Sequence, residues 1–326
     1  MNALKIIVVM GGPSGEHDIS LKSGHGVADA LQHRGWTVES LVIPREVRVE
    51  EAWECTKQAL KKAGECVVFI ALHGTFGEDG AIQQLCEDLG LAYTGSGPLA
   101  SQLGMDKVAS RHRFEAAGLA VPRWHVLDRL NSLPTLPAGW SYPLVVKPAT
   151  QGSSLGVSII SRQQDLAAAV AEAARFSTSI ILEEFIRGRE VTVGILGDEP
   201  LPVVEIRPHQ PFFDFTAKYT PGSTEYLVPA PLPESVARAA QAMGLAAHRA
   251  LGCRHLSRAD ILLRHDTVPV LLEVNTIPGF TPTSLLPKAA ACIGLPYDAL
   301  CERLVLMAIE MFAKSSAAHQ HPLVAT

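Results

Sequence analysis

The sequence of 326 residues lacks any apolar run near the roughly 18 residues that a membrane-spanning helix needs. Cysteine is scarce, with six residues and no C-x-x-C pair, so disulfide frameworks and cysteine metal sites have little support. No Gly-Lys dipeptide occurs, which excludes a P-loop as the means of holding a nucleotide. No signal-peptide cleavage site follows the short apolar start, and the cysteines are expected to be free thiols. Both features favour a cytoplasmic protein without a membrane partner.

Charge is also limited, at 19% of the residues, and the net charge is −5. A general nucleic-acid binder needs a basic face, so no nucleic-acid partner is expected. Apolar residues make up 47% of the chain, as in ordinary globular proteins. Because one core rarely grows beyond about 250–300 residues, the length indicates two or three domains.

The first hundred residues alternate apolar runs with helical patterns. Strands are predicted at Lys5–Met10, Thr37–Ile43 and Cys66–Leu72, with helices at Ile19–His33 and Ala81–Leu89. This β-α-β rhythm is typical of a parallel sheet with helices on its faces. The Gly/Ser/Pro cluster at residues 94–98 is the first candidate domain boundary.

The rest of the chain has an α+β character. Short strands at Leu144–Lys147 and Val157–Ile160 flank a loop rich in Gly and Ser. The segment Pro208–Pro233 has no clear hydrophobic period and is too long for an ordinary connection, so we predict a binding loop or lid there. Strands at Ala259–Leu263 and Val268–Val274 flank a short turn, which predicts an antiparallel pair.

Gly11–Gly15 follows the first strand and precedes a helix, where a dinucleotide fingerprint would lie. The G-x-G-x-x-G spacing is not met, and Pro13 lacks an amide donor, so a plain turn is favoured. Glu16 stands at the helix start, where the helix dipole favours a carboxylate. It can cap the helix or bind the ammonium group of a ligand, and the sequence leaves both roles open.

The loop Gly152–Gly156 matches the G-x-S-x-G pattern of hydrolases, and a serine hydrolase built on Ser153 is one hypothesis. That elbow requires a strand, a turn and a helix, whereas Val157–Ile160 has the composition of a strand. A phosphate-binding loop explains the small residues better, because they let backbone amides approach an anion. Lys147, just before the loop, supplies a positive charge. A hydrolase and a purely structural hairpin remain as alternatives.

Four polar residues lie on the last two predicted strands. Arg258 and Asp260 are two apart on one strand, and Glu273 and Asn275 are two apart on the next, so each pair shares a face. Antiparallel pairing brings Asp260, Glu273 and Asn275 together, and their oxygens suit Mg²⁺. A simple ion pair between Asp260 and Arg258 is the alternative.

Two further loops carry signals for a ligand. Asn275–Leu285, with the sequence NTIPGFTPTSL, is rigid, exposes amides and directly follows the predicted metal ligands, which favours a substrate loop over a mere turn. His73–Gly80 is a polar glycine loop at a strand end, the edge where parallel sheets usually bind ligands. His73 by itself does not decide between a ligand contact and a structural role.

Seven motifs in order resemble the D-alanine–D-alanine ligases of the ATP-grasp superfamily. They are HGTFGEDG, MDK, KP with GSSLGV, LEEFIRGRE, FDFTAKY, SRADILL and LEVNTIPGFTPTSLLP. Each motif is weak alone, but the seven run in order from residue 73 to residue 287, and the resemblance as a whole covers roughly residue 8 to residue 290. The resemblance implies an α/β plus α+β, three-domain ATP-grasp architecture whose first domain has a parallel sheet. The expected domains are residues 1–98, 99–182 with the phosphate loop, and 183–326 with the metal site and lid.

The resemblance further implies ligation of two D-alanine molecules with ATP through a D-alanyl phosphate, for peptidoglycan precursor synthesis by a homodimer. It implies two Mg²⁺ ions on Asp260, Glu273 and Asn275, with Mn²⁺ as a substitute and K⁺ as a further cofactor that the family allows. The residues that it implies for ATP are Lys107, Lys147, Ser153, Ser154, Glu183, Phe185, Ile186, Glu190 and Lys218. Among these, Lys107 and Lys147 would hold the phosphates, and Glu183, Phe185, Ile186 and Glu190 would line the adenine and ribose site.

For the D-alanine molecules, the resemblance implies contacts from Glu16, His73, Lys218, Arg258, Gly279, Ser284 and Leu285. Glu16 would bind the first ammonium group, and Arg258 with the Gly279 amide would stabilise the oxyanion. Lys218, Ser284 and Leu285 would meet the second D-alanine. Tyr219 would close over the site with Ser153 and Glu16, so the implied catalytic residues are Glu16, Ser153, Tyr219, Arg258 and Gly279.

Two departures from the family pattern stand out. FDF replaces the more familiar YDY but keeps Asp214, and Thr150-Gln151 stand where an Arg-Glu or similar pair can occur. AKY, with Tyr219, is the form associated with D-alanine as the second substrate. Ligases of the same family that use D-serine or D-lactate vary in this loop, so they form the alternative within the superfamily. A non-catalytic nucleotide-binding module is a third hypothesis.

Overall fold

The computed structural model describes residues 4–127, 136, 138–209 and 222–320. Within these ranges, fourteen strands form three sheets, and nine helices pack on them. None of the helices in the described ranges is both long enough and apolar enough to cross a membrane.

The first sheet is parallel and is built from the N-terminal part of the chain. Its strands are β1 (Lys5–Gly11), β2 (Val38–Ile43), β3 (Cys66–Ile70) and β4 (Ala92–Tyr93), in the order β2-β1-β3-β4. The helices of this region are α1 (His17–His33), α2 (Val49–Ala63), α3 (Ala81–Asp88) and α4 (Pro98–Met105). The predicted parallel α/β arrangement is therefore confirmed.

Strand β1 is apolar throughout because both faces of its sheet are covered. Ile6 and Val8 point into a core with Leu31 of α1, whereas Ile7 and Val9 point into a second core on the opposite face. This burial on both faces explains the run of apolar residues that begins the chain, and it fixes the loop after β1 at the carboxyl edge of the sheet.

The central sheet is antiparallel, in the order β5-β8-β6-β7. Its strands are β5 (Trp124–Leu127), β6 (Leu144–Pro148), β7 (Ser158–Ile160) and β8 (Ile180–Glu184), and its helices are α5 (Lys107–Ala116) and α6 (Gln163–Ala174). Helix α6 covers one face through Leu166 and Val170, which leaves the other face to form the wall of a cavity. The expected domain boundary at residue 182 falls inside β8, and the division into three domains stays a prediction.

The third sheet is also antiparallel, in the order β12-β11-β9-β13-β14, with β10 paired to β9. Its strands are β9 (Gly188–Leu196), β10 (Glu199–Pro200), β11 (Val204–Pro208), β12 (Thr224–Leu227), β13 (Leu256–Arg264) and β14 (Val268–Asn275). Helix α7 (Glu234–Leu251) packs on one face through Val236, Ala240 and Ala247 and ends at Gly252, which has a φ of 72°.

Two helices complete the described chain, α8 (Leu285–Cys292) and α9 (Tyr297–Gln320). The buried Leu300 and Leu304 of α9 share a core with Ile6 and Val8 of the first sheet. The C-terminal helix therefore packs against the N-terminal region.

One expectation needs correction. The segment Pro208–Pro233 was expected to be a loop, but its residues Thr224–Leu227 form β12, which pairs with β11 from Glu205↔Leu227 to Pro208↔Thr224. A short strand flanked by Gly and Pro has no sequence signal of its own, because its pairing partner supplies the stability. Residues 210–221, which include Asp214, Lys218 and Tyr219, lie outside the described residues.

Candidate active site

Two cavities meet at the carboxylate of Glu273, which lines both of them. One cavity, of about 440 Å³, lies between the central and third sheets and is bordered by Lys147 and Glu183; we call it the inter-sheet cavity. The other, of about 560 Å³, is bordered by Glu16 and Arg258; we call it the loop cavity. Adjacent cavities that share one carboxylate suit two ligands that react with each other.

The inter-sheet cavity gathers most of the residues that the resemblance implies for ATP. Its lining includes Lys107, Lys147, Ser154, Glu183, Phe185, Ile186, Glu190, Asp260 and Glu273. Apolar side chains from both sheets, among them Val145 and Leu262, face each other across it. An apolar slot with charges at one end suits a flat ring that carries an anionic chain.

Two lysines supply positive charge to this cavity. Lys107 donates to the Gln151 carbonyl at 2.8 Å, and its Nζ lies 3.3 Å from Glu273. The Nζ atom of Lys147 lies 2.7 Å from Glu183. Burial lowers the pKa of Lys147 to about 8, against the charge of Glu183, which acts to raise it.

The structure also reveals a buried charge that sequence reasoning missed. Arg111 is fully buried and forms an ion pair with Glu183. It lies four residues after Lys107 on α5, so helical spacing places both residues on one side of the helix. That spacing was the signal available in the sequence.

The loop Gly152–Gly156 connects β6 and β7, two strands that pair with each other in antiparallel fashion. No helix follows it, so the strand-turn-helix geometry of a hydrolase nucleophile is absent and the serine hydrolase hypothesis is wrong. Ser153 and Ser154 have φ values of 54° and 57°, in the left-handed region. The loop therefore has two consecutive residues in a backbone conformation that residues other than glycine rarely adopt. It also lies between the two cavities, because Gly152 lines both.

The loop cavity gathers most of the residues that the resemblance implies for D-alanine. Its lining includes Glu16, His73, Ser153, Arg258, Gly279, Ser284 and Leu285. Glu16 directly precedes α1, and its side chain makes no capping hydrogen bond, which contradicts the side-chain capping alternative. It accepts instead a hydrogen bond from Ser153 Oγ at 2.5 Å.

His73 lies in the wall of the loop cavity with a carboxylate beside it. Its Nδ1 atom is 3.6 Å from Glu78, and its Nε2 atom is 3.2 Å from Ser23 Oγ. Burial acts to lower the pKa of His73, but the hydrogen bond and charge of Glu78 and the charge of Glu16 leave it raised. Glu78 was not singled out from the sequence, although it belongs to the glycine loop that contains His73.

Strands β13 and β14 pair as the sequence predicts, with Arg258 opposite Asn275 and Asp260 opposite Glu273. The ion-pair alternative for Asp260 is also present, because Arg258 donates to both of its oxygens at 2.9 and 2.8 Å. Asn275 donates to Asp260 at 3.0 Å, and Thr192 donates at 2.6 Å.

The side-chain oxygens of Asp260, Glu273 and Asn275 fit a Mg²⁺ ion whose other ligands are phosphates and water. No cluster of three or more His, Cys, Asp or Glu side chains that could hold a metal occurs in the described ranges. Mg²⁺ commonly takes one or two carboxylates and completes its shell with phosphates and water. Asp260, Glu273 and the amide oxygen of Asn275 therefore suit an ion that is bound together with a nucleotide.

The loop before α8 is held by its own side chains. Ser284 Oγ accepts a hydrogen bond from the Thr281 amide at 3.0 Å and contacts Thr281 Oγ1 at 2.8 Å. Leu285 begins α8, so its backbone amide is one of the free donors of a helix start. A carboxylate in the loop cavity would find the positive end of this helix.

Two ligase family models match the chain. The model described as D-ala D-ala ligase C-terminus matches residues 113–306, and the model described as D-ala D-ala ligase N-terminus matches residues 47–96. A D-alanine--D-alanine ligase of Syntrophotalea carbinolica is 46% identical over 302 residues, which is 92% of this chain and 95% of the relative. One of Geotalea uraniireducens is 44% identical and covers 93% of this chain and 95% of the relative.

Solved structures of ligases are also similar to this chain in fold. A D-alanine--D-alanine ligase from Bacillus anthracis in complex with ATP superposes with a TM-score of 0.80 at 29% identity, over 96% of this chain and 100% of that chain. A D-Ala:D-Ser ligase from Enterococcus faecalis superposes with a TM-score of 0.81 at 30% identity, over 94% of this chain and 100% of that chain. The fold is that of a ligase. The chain belongs to the D-alanine–D-alanine ligase family.

Proposed function

We propose that this chain ligates two D-alanine molecules to D-alanyl-D-alanine with ATP, for peptidoglycan precursor synthesis. The observation that carries the proposal is the meeting of the two cavities at Glu273. One cavity has the slot and cations for a nucleotide, and the other has the charges for amino acids. Phosphoryl transfer from the first to the second requires this adjacency.

In the first step, a carboxylate oxygen of the first D-alanine attacks the γ-phosphorus of ATP, and ADP leaves with the electrons of the broken bond. Lys107 and Lys147 hold the phosphate chain, with the amides of the loop around Ser153 and Ser154 as further donors. Glu183, Phe185, Ile186 and Glu190 contact the adenine and ribose. The product, D-alanyl phosphate, has a good leaving group where the carboxylate had none.

The loop cavity holds the first D-alanine. Glu16 accepts from its ammonium group, with His73 close by, and Arg258 and the Gly279 amide donate to the carboxylate oxygens. When the second amine attacks, these donors stabilise the negative charge that develops on the carbonyl oxygen. The amine nitrogen forms its bond to the carbonyl carbon, and the bond from that carbon to the phosphate oxygen breaks. Inorganic phosphate leaves with the electrons of that bond and takes up the proton that the amine loses.

The second D-alanine binds through Ser284 and the Leu285 amide. Lys218 and Tyr219 complete this part of the proposal by resemblance alone, as does the ATP contact assigned to Lys218. Lys218 and Tyr219 belong to a segment whose described neighbours border the two cavities. Pro208, before the segment, lines the inter-sheet cavity, and Tyr226, after it, lines the loop cavity.

Mg²⁺ is the proposed cofactor beside ATP, with two ions held by Asp260, Glu273 and Asn275. When bound there, such ions would supply positive charge to the phosphate oxygens, on which negative charge develops during transfer. Arg258 and Thr192 orient the Asp260 carboxylate toward that task. Mn²⁺ as a substitute and K⁺ as an additional cation remain predictions from the resemblance.

Phosphate release with ATP and Mg²⁺ tests the proposal when D-Ala, L-Ala, D-Ser and D-lactate are compared. We expect D-Ala to stimulate release and to yield a dipeptide detectable by mass spectrometry, and L-Ala to do neither. If D-Ala gives no stimulation and no dipeptide, the proposal fails. Omitting Mg²⁺ is expected to abolish release, and restoring it with Mn²⁺ tests the substitution.

A second candidate function is ligation of D-alanine to D-serine. The observation in its favour is the similarity to the D-Ala:D-Ser ligase structure from Enterococcus faecalis. Mixed D-Ala and D-Ser assays discriminate the two, because an excess of mixed dipeptide would identify D-serine as the acceptor. The AKY motif favours D-alanine.

Three further properties remain proposals. They are the homodimer, the cytoplasmic location, and the division into residues 1–98, 99–182 and 183–326. Light scattering on the purified full chain measures the dimer directly. Limited proteolysis tests the division, since we expect early cleavage close to the two boundaries.

A further inference from the structure

Three charged side chains, Arg111, Glu183 and Lys147, form a cluster at the inter-sheet cavity. They are 0%, 3% and 7% exposed. Lys147 and Glu183 line the cavity, whereas Arg111 is not part of its wall. The cluster thus has an inner cation, Arg111, and an outer cation, Lys147, which borders the cavity. The carboxylate of Glu183 pairs with both.

The strand register places the carboxylate between the two cations. Val145 is opposite Glu183, and Lys147 is two residues further along β6, so both charged side chains share one face of the central sheet. Arg111 reaches the same carboxylate from α5. Both cations contact the same atom, Glu183 Oε1, and the distance from Lys147 Nζ is 2.7 Å.

One carboxylate has a single negative charge and cannot neutralise two cations, so the cluster keeps one surplus positive charge. Within the described ranges, the nearby Lys107 and Glu273 pair with each other at 3.3 Å and leave that surplus unchanged. An uncompensated buried charge is costly, and an anion that arrives at the open side of the cluster relieves the cost. Lys147 is the member that faces this side.

The guanidinium of Arg111 depends on Glu183 for its compensation. None of its three nitrogens donates an aligned hydrogen bond to another described residue. The Trp124 ring also lies near it, with its centroid 5.9 Å from the Arg111 guanidinium carbon. Burial is the main cause of the lowered pKa of Lys147, and the positive charge of Arg111 lowers it further. This effect is expected when both cations share the Glu183 carboxylate. Arg111 therefore acts on the cavity through Glu183.

We propose that Arg111 is a positioning residue for the nucleotide. It binds and neutralises Glu183, so that the charge of Lys147 remains available to the phosphate chain of ATP. This inference rests on the proposed use of the inter-sheet cavity for ATP. Without Arg111, Glu183 and Lys147 would neutralise each other, and the cavity would lose its surplus charge.

Inorganic tripolyphosphate is a suitable probe because it has the phosphate chain of ATP without the adenine and ribose that Glu183 also borders. Its dissociation constant is measured by calorimetry on the full-length chain. We expect Arg111→Gln to weaken its binding about tenfold and Glu183→Gln to strengthen it about threefold, which correspond to about 1.4 and 0.6 kcal/mol. A merely structural role would weaken binding in both variants.

Arg113→Gln is the matched control, since Arg113 is an exposed arginine on the same helix. It removes the same charge and is expected to leave tripolyphosphate binding unchanged. In steady-state assays, Arg111→Gln should raise KM for ATP and leave KM for D-Ala unaltered. The double variant Arg111→Gln with Glu183→Gln restores one surplus charge and should bind tripolyphosphate nearly as the wild type does.

Weaker binding in both single variants, or unchanged binding in Arg111→Gln, would overturn the inference. If Arg111→Gln does not fold, Arg111→Lys decides, because it keeps the charge and should bind within about threefold of wild type, or 0.6 kcal/mol. A tenfold loss in folded Arg111→Lys would also overturn it. Tripolyphosphate binding needs no D-alanine, so absence of D-Ala-dependent turnover in the wild type would overturn the proposed function separately.

Discussion

Ser153 Oγ donates a hydrogen bond of 2.5 Å to Glu16, although 137 residues separate them in the sequence. Ser153 lies in the loop between β6 and β7, and Glu16 is the first residue before α1. The bond therefore joins the central sheet to the N-terminal region at the loop cavity. It also fixes the Glu16 carboxylate on the side where we place the first D-alanine.

Ser153→Ala removes this bond and leaves the loop backbone in place. We expect turnover to fall at least tenfold, since a hydrogen bond to a charged group contributes about 1.5–3 kcal/mol. D-Ala-dependent phosphate release gives the rate, and circular dichroism checks the fold. Thr150→Ala is the matched control, because Thr150 is an exposed residue of the same loop whose hydroxyl contacts Ser177 instead. Equal rates in both variants would contradict the role of Ser153.

Glu273→Gln tests the point where the two cavities meet. The carboxamide keeps the size of the side chain but loses the charge that pairs with Lys107 and that we propose binds Mg²⁺. We expect turnover to fall about 100-fold or more, a common cost of disturbing a metal site, and the Mg²⁺ concentration for half-maximal rate to rise. Glu225→Gln, an exposed change on β12, is the control. Near-wild-type rates for Glu273→Gln would refute the metal assignment.

The pKa of Lys147 predicts how ATP use depends on pH. Burial lowers this pKa from 10.5 to about 8, so the ammonium is charged at neutral pH and loses its proton as the pH rises through that value. Above it, KM for ATP should rise by up to about tenfold per pH unit as the charged fraction falls. Lys147→Arg should show a flat KM over the same range, because guanidinium does not titrate there. If KM for ATP still rises with pH in Lys147→Arg, a group other than Lys147 causes the pH dependence.

Gly188→Ala tests a close backbone approach in the third sheet. Gly188 is opposite Arg264 in the register, and a Cβ atom on it would lie 1.9 Å from the Leu263 carbonyl oxygen. Since backbone cannot move aside as a side chain can, we expect the free energy of unfolding to fall by about 1–3 kcal/mol. Urea denaturation measures the change. Gly15→Ala, whose Cβ would meet no atom within 4 Å, should leave the stability nearly unchanged.

Much of the fold could be predicted from local patterns. β1 has an apolar run and α1 a helical period, and the structure places both within a few residues of the expected positions. β12 could not be predicted, because its stability comes from pairing with β11. Likewise, the hydrogen bond from Ser153 to Glu16 could not be predicted, because the two residues lie in distant parts of the sequence.

The sequence alone determined which chemical groups the protein has and how they are spaced along each strand and loop. Spacing of two on adjacent strands was enough to place Asp260 beside Glu273, because pleating and antiparallel pairing are local rules. Only the tertiary structure decided how three sheets place those groups around two adjoining cavities. It also showed that Arg111 and Lys147 share Glu183, since burial and charge compensation depend on residues that meet only when the sheets pack.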